Sequence, residues 1–322
     1  MRRKDAEMYR LGIDLGGTNI AAGIVDESNR IVARAKRKTR IPCTPDEICD
    51  QLSQTALQAL RNAGLTVGDI PCVGVGTPGT VNRETGVVEY ANNLYLHHLP
   101  LAALLSRRLR REVIVENDAN AAAYGEYRAG ALRGAKSALA ITLGTGIGSG
   151  ILIDGKIYSG GNSAGGELGH TVIVAGGRPC TCGRRGCWEA YASATGLAAL
   201  TRDAMREKPD SLLWKLCGGK PERVSGRTAF EAMRAGDETG KRVVDRYLFY
   251  LACGLTNCIN IFQPDILCIG GGISNEGESL LEPLRKTAAA ENYGRNLKKQ
   301  TVLCRAQLGN DAGILGAALL GD

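Results

Sequence analysis

Twice in this chain a short apolar strand runs into a glycine turn and out again into another strand. Residues 9–15 lead into Gly16-Gly17 and on to residues 20–25, and residues 138–143 lead into residues 144–148 and on to 149–153. The second copy closes on Asp154-Gly155, a hairpin-turn pair. Strand-type patterning on both sides of residues without side chains predicts two hairpins of one design, and hence a diverged internal duplication. Short glycine hairpins are common, so coincidence is the competing reading. A chain of 322 residues also exceeds the size at which a single hydrophobic core keeps growing, which favours two lobes.

The first copy continues through the polar turn at 26–29 into an alternating stretch at 30–38, which predicts a three-stranded antiparallel meander. A helix is expected over 45–62, with Thr44 as cap, Pro45 at the first helical position and Gly64 past its end. Residues 70–75, 113–115 and 266–269 read as buried strands, the second running through Glu116-Asn117-Asp118 into an Ala-rich helix. The tail from 310 to 320 reads as a closing helix capped near Asn310 or Asp311. No Pro-rich or Ser-rich linker divides the chain. The boundary is therefore placed from the repeat, giving a small lobe at 1–117 to which the 306–322 helix returns, and a large lobe at 118–305.

With 44% hydrophobic and 23% charged residues the chain is an ordinary globular one. Its 40 Lys and Arg against 33 Asp and Glu leave a charge of +7 spread along the sequence. A modest excess of this kind suits small anionic substrates and is by itself weak evidence for nucleic acid, so no nucleic-acid partner is expected. Neither an 18-residue apolar stretch nor a leader-like apolar core after Met1–Asp5 is present, so no membrane association and a cytoplasmic location are expected. Of eleven cysteines, eight (Cys43, Cys49, Cys72, Cys217, Cys253, Cys258, Cys268 and Cys304) stand alone and read as buried thiols of a reducing compartment.

The other three cluster. His170, Cys180, Cys182 and Cys187 fall within eighteen positions, and one imidazole with three thiolates completes a tetrahedral zinc site with no vacancy for a catalytic water. A structural zinc is the prediction, with Gly176, Gly177, Gly183 and Gly186 turning the loop. Glu167 and Glu189 bracket the cluster, where a metal knot can hold carboxylates toward sugar hydroxyls; ordinary surface solvation is the alternative. His97 and His98, without a Cys or acid at ligand spacing, read as loop residues.

Asp14, Gly16, Gly17 and Thr18 place a carboxylate, two bare backbone positions and a hydroxyl in the first turn, and Gly144, Thr145 and Gly146 offer the same chemistry in the second. Glycines let backbone N–H groups approach phosphate closely. The second turn fits neither a Walker loop nor a dinucleotide fingerprint, since no Gly-Lys-Ser/Thr follows and the next segment is strand. Asp118 sits where a strand becomes a helix. There the helix N-terminus keeps a carboxylate ionised, ready to accept an alcohol proton during phosphoryl transfer. An N-cap role for Asp118 is equally compatible with its residue type.

These residues together resemble the ROK family of sugar kinases, and in particular its zinc-containing bacterial glucokinases, over nearly the whole chain. The most specific match is Glu167-Leu168-Gly169-His170 followed by Cys180-Thr181-Cys182-Gly183-Arg184-Arg185-Gly186-Cys187-Trp188-Glu189. The resemblance implies an α/β, two-lobed, actin-like ATPase fold of the hexokinase and ribonuclease H type, with the site in a cleft between lobes. It implies ATP and magnesium as cofactors, with the two glycine turns on the phosphates, Asp14 placing magnesium, and Gly270, Gly271 and Gly272 by the adenosine. Asp118 would be the base for the sugar's 6-hydroxyl. Gly79, Asn93, Asn117, Asp118, Glu167, His170 and Glu189 would hold the sugar, His170 serving zinc and sugar with its two ring nitrogens. A homodimer or homotetramer is the family expectation.

One departure bears on the substrate. Many family glucokinases carry an aromatic residue soon after the position of Asn93, whereas this chain reads Leu94-Tyr95-Leu96. Glucose is the expected hexose, with mannose, allose, fructose or an N-acetylated hexosamine as alternatives and polyphosphate as an alternative donor. The rival reading is a sugar-responsive regulator of the same family. Those carry a helix-turn-helix unit ahead of the kinase-like part, and about nine residues before the first strand are too few for one. A non-catalytic sugar sensor is the third possibility.

Overall fold

The computed structural model describes residues 8–322; Met1–Asp5, read above for a leader, lie outside the described residues. Internal contacts divide the chain into two units. One comprises the chain up to Lys136 with Gly150–Gly166 and Gln307–Asp322; the other comprises Ser137–Ser149 with Glu167–Ala306.

In chain order the strands are β1 (Arg10–Leu15), β2 (Asn19–Val25), β3 (Ile31–Lys38), β4 (Cys72–Thr77), β5 (Thr80–Asn82), β6 (Val87–Ala91), β7 (Leu96–Leu99) and β8 (Glu112–Asn117). There follow β9 (Ser137–Leu143), β10 (Ile147–Ile153), β11 (Lys156–Tyr158), β12 (Ile266–Gly270) and β13 (Val302–Arg305). The expected meander forms, with β2 antiparallel to both β1 and β3. Parallel pairing of β4 with β1 and β8 extends it to the order β3-β2-β1-β4-β8. A second sheet has the order β11-β10-β9-β12-β13, with β12 parallel to β9 and β13. Position for position the two orders are the same, so the repeat legible in two glycine hairpins extends to whole five-stranded sheets.

The helix Pro45–Asn62 forms at its expected bounds. Thr44 Oγ1 accepts the Glu47 N–H at 3.2 Å while Glu47 Oε2 accepts the Thr44 N–H at 2.7 Å, a reciprocal cap. Its face of Ile48, Leu52, Ala56 and Ala59 is fully buried in one core with Ile13, Ile20 and Ile24. The strand expected at 70–75 lies two residues later, at Cys72–Thr77. Its end is set by parallel register, Thr77 opposite Asn117, not by the apolar run.

The closing helix is shorter than expected, Ala312–Ala318, preceded by a 3-10 turn at Gly309–Asp311. Asp311 holds the expected N-cap position, but its side chain makes no capping bond and pairs instead with the Arg34 guanidinium. This helix lies on β1 and β4 so closely that a Cβ added at Gly74 would stand 1.7 Å from the Ala317 carbonyl oxygen. One at Gly316 would stand 1.6 Å from the Ala121 oxygen of the helix Asp118–Ala129. The expectation set a boundary near residue 118. Contacts of this kind group the helix Asp118–Ala129 with the first unit.

A small antiparallel sheet, β5-β6-β7, was not anticipated. It corrects the reading of His97 and His98, which lie on strand β7, where His98 Nδ1 is 2.9 Å from Glu89 Oε2. In the second unit Trp188 is wholly buried and donates its indole N–H to the Tyr250 carbonyl at 3.0 Å, on the long helix Glu238–Phe262. None of the eight lone cysteines forms a disulfide and none is exposed. Among the described residues no helix is long and apolar enough to cross a membrane.

Candidate active site and metal centre

In the first unit, β1 delivers Asp14 and the turn that follows is held from both sides. The Gly16 N–H bonds the Asn19 oxygen at 2.9 Å. Thr39 donates its N–H to the Thr18 oxygen at 2.9 Å and its hydroxyl to the Gly16 oxygen at 2.7 Å. Thr18 is exposed while Asp14 is half-buried. Burial, reinforced by the nearby Asp118 carboxylate, pushes the Asp14 carboxyl up to about 6.

Strand β8 delivers the partner. Asn117 is the N-cap of the helix Asp118–Ala129, its Oδ1 accepting the Ala119 and Asn120 N–H groups at 2.9 and 3.1 Å. The capping role that residue type alone allowed Asp118 therefore belongs to its neighbour. Asp118 Oδ1 takes the Ala119 N–H at 2.9 Å as well. Against the expected pull of the helix N-terminus toward the ionised form, burial is the larger effect and raises the Asp118 carboxyl, with the Ala119 N–H pulling the other way. Asn117 Nδ2 donates to the Gly79 oxygen at 3.1 Å, which brings a third expected residue to this corner. Asn93 lies in the 3-10 turn Asn92–Leu94; Tyr95, next along, has φ of 56° and is 69% exposed.

Sequence reasoning missed Glu116. Its carboxylate is buried, accepting the Asn117 N–H at 2.8 Å and the Asn120 side-chain amide at 3.0 Å on one oxygen, with Arg83 Nε 2.7 Å from the other. Burial raises its carboxyl and the Arg83 charge opposes that. The only local signal was an acid one residue before Asn117-Asp118.

The second unit gathers the other expected residues. The turn between β9 and β10 closes with the Gly144 N–H on the Gly146 oxygen at 3.0 Å, and Thr145 is exposed at its tip. Glu189 Oε2 accepts the Ile147 N–H at 2.8 Å, and a Cβ at Gly146 would lie 2.2 Å from that oxygen, so this carboxylate is seated on the turn. Gly270 ends β12 opposite Thr142, and Gly271 lies against the backbone of Leu143. Glu167 is exposed at the head of the 3-10 turn Leu168–His170.

The His170, Cys180, Cys182 and Cys187 donor atoms all lie within 4.8 Å of one another. A tetrahedral ion with metal–sulfur bonds of about 2.3 Å and a metal–nitrogen bond of about 2.0–2.1 Å needs edges of about 3.8 Å between two sulfurs and about 3.6 Å between sulfur and nitrogen. Cys182 Sγ is 3.7 Å from Cys187 Sγ and Cys180 Sγ is 3.5 Å from His170 Nδ1, so the donors fit such an ion and the sulfurs are too far apart for a disulfide. Burial, together with the Cys182 and Cys180 thiols beside it, pushes the Cys187 thiol up to about 12. The loop reverses at Gly186, with φ of 85° and the Val174 oxygen 1.8 Å from where a Cβ would lie. Cys180 Sγ also lies 3.9 Å from Glu189 Oε1, so the carboxylate seated on the glycine turn touches the metal donor set.

Two five-stranded sheets of one order, each with a glycine turn between its first two strands, define the actin-like ATPase class. Within that class the chain belongs to the ROK family, whose description matches residues 10–322. The glucokinase of Thermotoga maritima is 38% identical over 309 residues, 96% of this chain and 95% of its own. The N-acetyl-D-glucosamine kinase of Pasteurella multocida is 31% identical over 324 residues, 97% of this chain and 98% of its own. Among solved structures, the ROK family glucokinase from Streptomyces griseus in complex with glucose and AMPPNP superposes with a TM-score of 0.81 at 37% identity. It covers 96% of this chain and 98% of its own.

Proposed function

We propose that this protein transfers the terminal phosphoryl group of ATP to the 6-hydroxyl of glucose, giving glucose 6-phosphate. The observation that carries the reading is Asp118, which is relieved of capping by Asn117 and half-buried near Asp14, a second carboxyl pushed up to about 6. A carboxylate whose affinity for a proton is raised by burial is a better base than a solvated one. Asp118 accepts the hydroxyl proton as that oxygen attacks phosphorus, and returns it to solvent after product leaves.

Gly79, Asn93, Asn117, Glu167, His170 and Glu189 hold the sugar in this reading. Asp14, Gly16, Gly17, Thr18, Gly144, Thr145, Gly146 and Gly270–Gly272 serve the nucleotide. Asp14 is the residue suited to magnesium, which when bound neutralises phosphate charge. Three thiolates and one imidazole suit zinc, and four protein donors leave no position for a reacting water, so the ion's contribution is to fold the loop. With Nδ1 turned to the thiols, His170 has Nε2 left for a sugar hydroxyl. Glu189, touching both the glycine turn and Cys180, carries loop order to the reacting groups. Glucose is favoured over N-acetylated hexosamines because the glucokinase relatives are the more similar. The protein works in the cytoplasm as a homo-oligomer, with Phe249, Ile261, Tyr293 and Leu297 as exposed apolar surface.

The test is ADP release with a panel of hexoses and phosphorus NMR of the product. Glucose-dependent ADP formation yielding a 6-phosphate is expected. ADP release that no hexose stimulates sinks the reading.

A further inference from the structure

We propose that the first unit carries an anion site, distinct from the residues assigned above, that takes a small polyphosphate. A cavity of about 700 Å³ opens where the end of β3 meets the helix Pro45–Asn62. That volume lies within the range of small-molecule sites. Three cations line it, Arg37, Lys38 and Arg40, together with the acids Glu47 and Asp50.

Both acids are already committed. Glu47 Oε2 accepts the Thr44 N–H at 2.7 Å and its hydroxyl at 3.0 Å, and Asp50 Oδ1 accepts Arg108 Nε at 2.9 Å. The cations are not. Arg37 gives one guanidinium nitrogen to the neutral Gln54 side chain at 2.7 Å, and among the described residues Lys38 and Arg40 have no acidic partner. Three cations against Glu47 and an Asp50 already paired with Arg108 leave this concavity of ligand size a net positive charge. Guanidinium forks beside a lysine match phosphate oxygens better than an isolated carboxylate.

The site is wired to the first glycine turn. Thr39, between Lys38 and Arg40, is the residue whose N–H and hydroxyl hold the Thr18 and Gly16 carbonyls. A polyphosphate drawing Lys38 and Arg40 together therefore acts on the backbone clamp of the phosphate-binding turn. The occupant is a free polyphosphate anion; the phosphate chain of the nucleotide shares its chemistry and is the source the test must separate from it.

The test is calorimetric titration of tripolyphosphate into the full chain, with and without saturating magnesium and a non-hydrolysable ATP analogue. Wild type is compared with Lys38→Gln/Arg40→Gln and with Lys36→Gln, an exposed charge on the same strand that does not line the cavity. The expected result is roughly tenfold or greater loss of affinity in the double variant, from two lost charge-assisted contacts, and no change in Lys36→Gln. Binding that persists with the analogue bound identifies a separate free-anion site; binding abolished by it assigns the anion to the nucleotide's own site and overturns the proposal. No binding to wild type, undiminished binding to the double variant, or an equal loss in Lys36→Gln overturns the proposal.

Discussion

Asp14 should cost the protein stability in exchange for function, and the cost can be worked out. Its carboxyl moves from 3.8 to about 6 on folding, because it is buried near Asp118. Between those values the folded state holds a proton that the unfolded state has released, so stability falls as pH rises through that window and stays lowered above it. A shift of about two units corresponds to about 3 kcal/mol at neutral pH. Replacing Asp14 with Asn removes the charge and nearly keeps the shape. At pH 7.5 the variant should be more stable than its parent by about 2–3 kcal/mol, or about 3–4 °C in Tm. At pH 3.5, where Asp14 is protonated in folded protein, the two should converge. Calorimetry of both proteins across that pH range checks this, and the same variant should lose hexose phosphorylation. A variant less stable at pH 7.5, or a difference that does not change with pH, refutes the electrostatic account of this corner.

Three further outcomes follow from packing and pairing. Cys187→Ser removes a buried donor, and bound metal should fall from about one ion per chain to near zero by mass spectrometry, with a lowered Tm. Gly74→Val should destabilise by at least about 3 kcal/mol in denaturant titration, since a Cβ there meets the Ala317 backbone at 1.7 Å, where nothing can swing away. Arg83→Ala should cost more, about 3 kcal/mol, than Glu116→Gln, about 1 kcal/mol. The first strands a buried carboxylate, while the second frees a guanidinium that is 37% exposed.

What could be read from the sequence was local or repeated. The helix Pro45–Asn62 announced itself through a cap, a proline and a glycine within its own span, and the meander through alternation. The grouping of His170 with Cys180, Cys182 and Cys187 was legible because its spacing contrasts with eight solitary cysteines. What escaped depends on partners far along the chain. Glu116 acquires its role from Arg83, thirty-three residues earlier, and the end of β4 is set by its register with β8. Asp118 and Asn117 could each have capped the helix by residue type, and only backbone geometry distinguishes them: Asn117 has the extended conformation of a cap, with ψ of 144°. The upward shift of Asp118 escaped for a related reason. A helix terminus is visible in sequence, whereas the burial that outweighs it is not.

The most direct test of the central claim is the turnover of Asp118→Asn with glucose and ATP, measured beside its binding of glucose and nucleotide. If Asp118 takes the proton of the 6-hydroxyl, kcat falls by about 10²- to 10⁴-fold while both ligands still bind. A variant that binds both ligands and turns over within about tenfold of its parent contradicts the account, because the largest effect assigned to one side chain would then be absent.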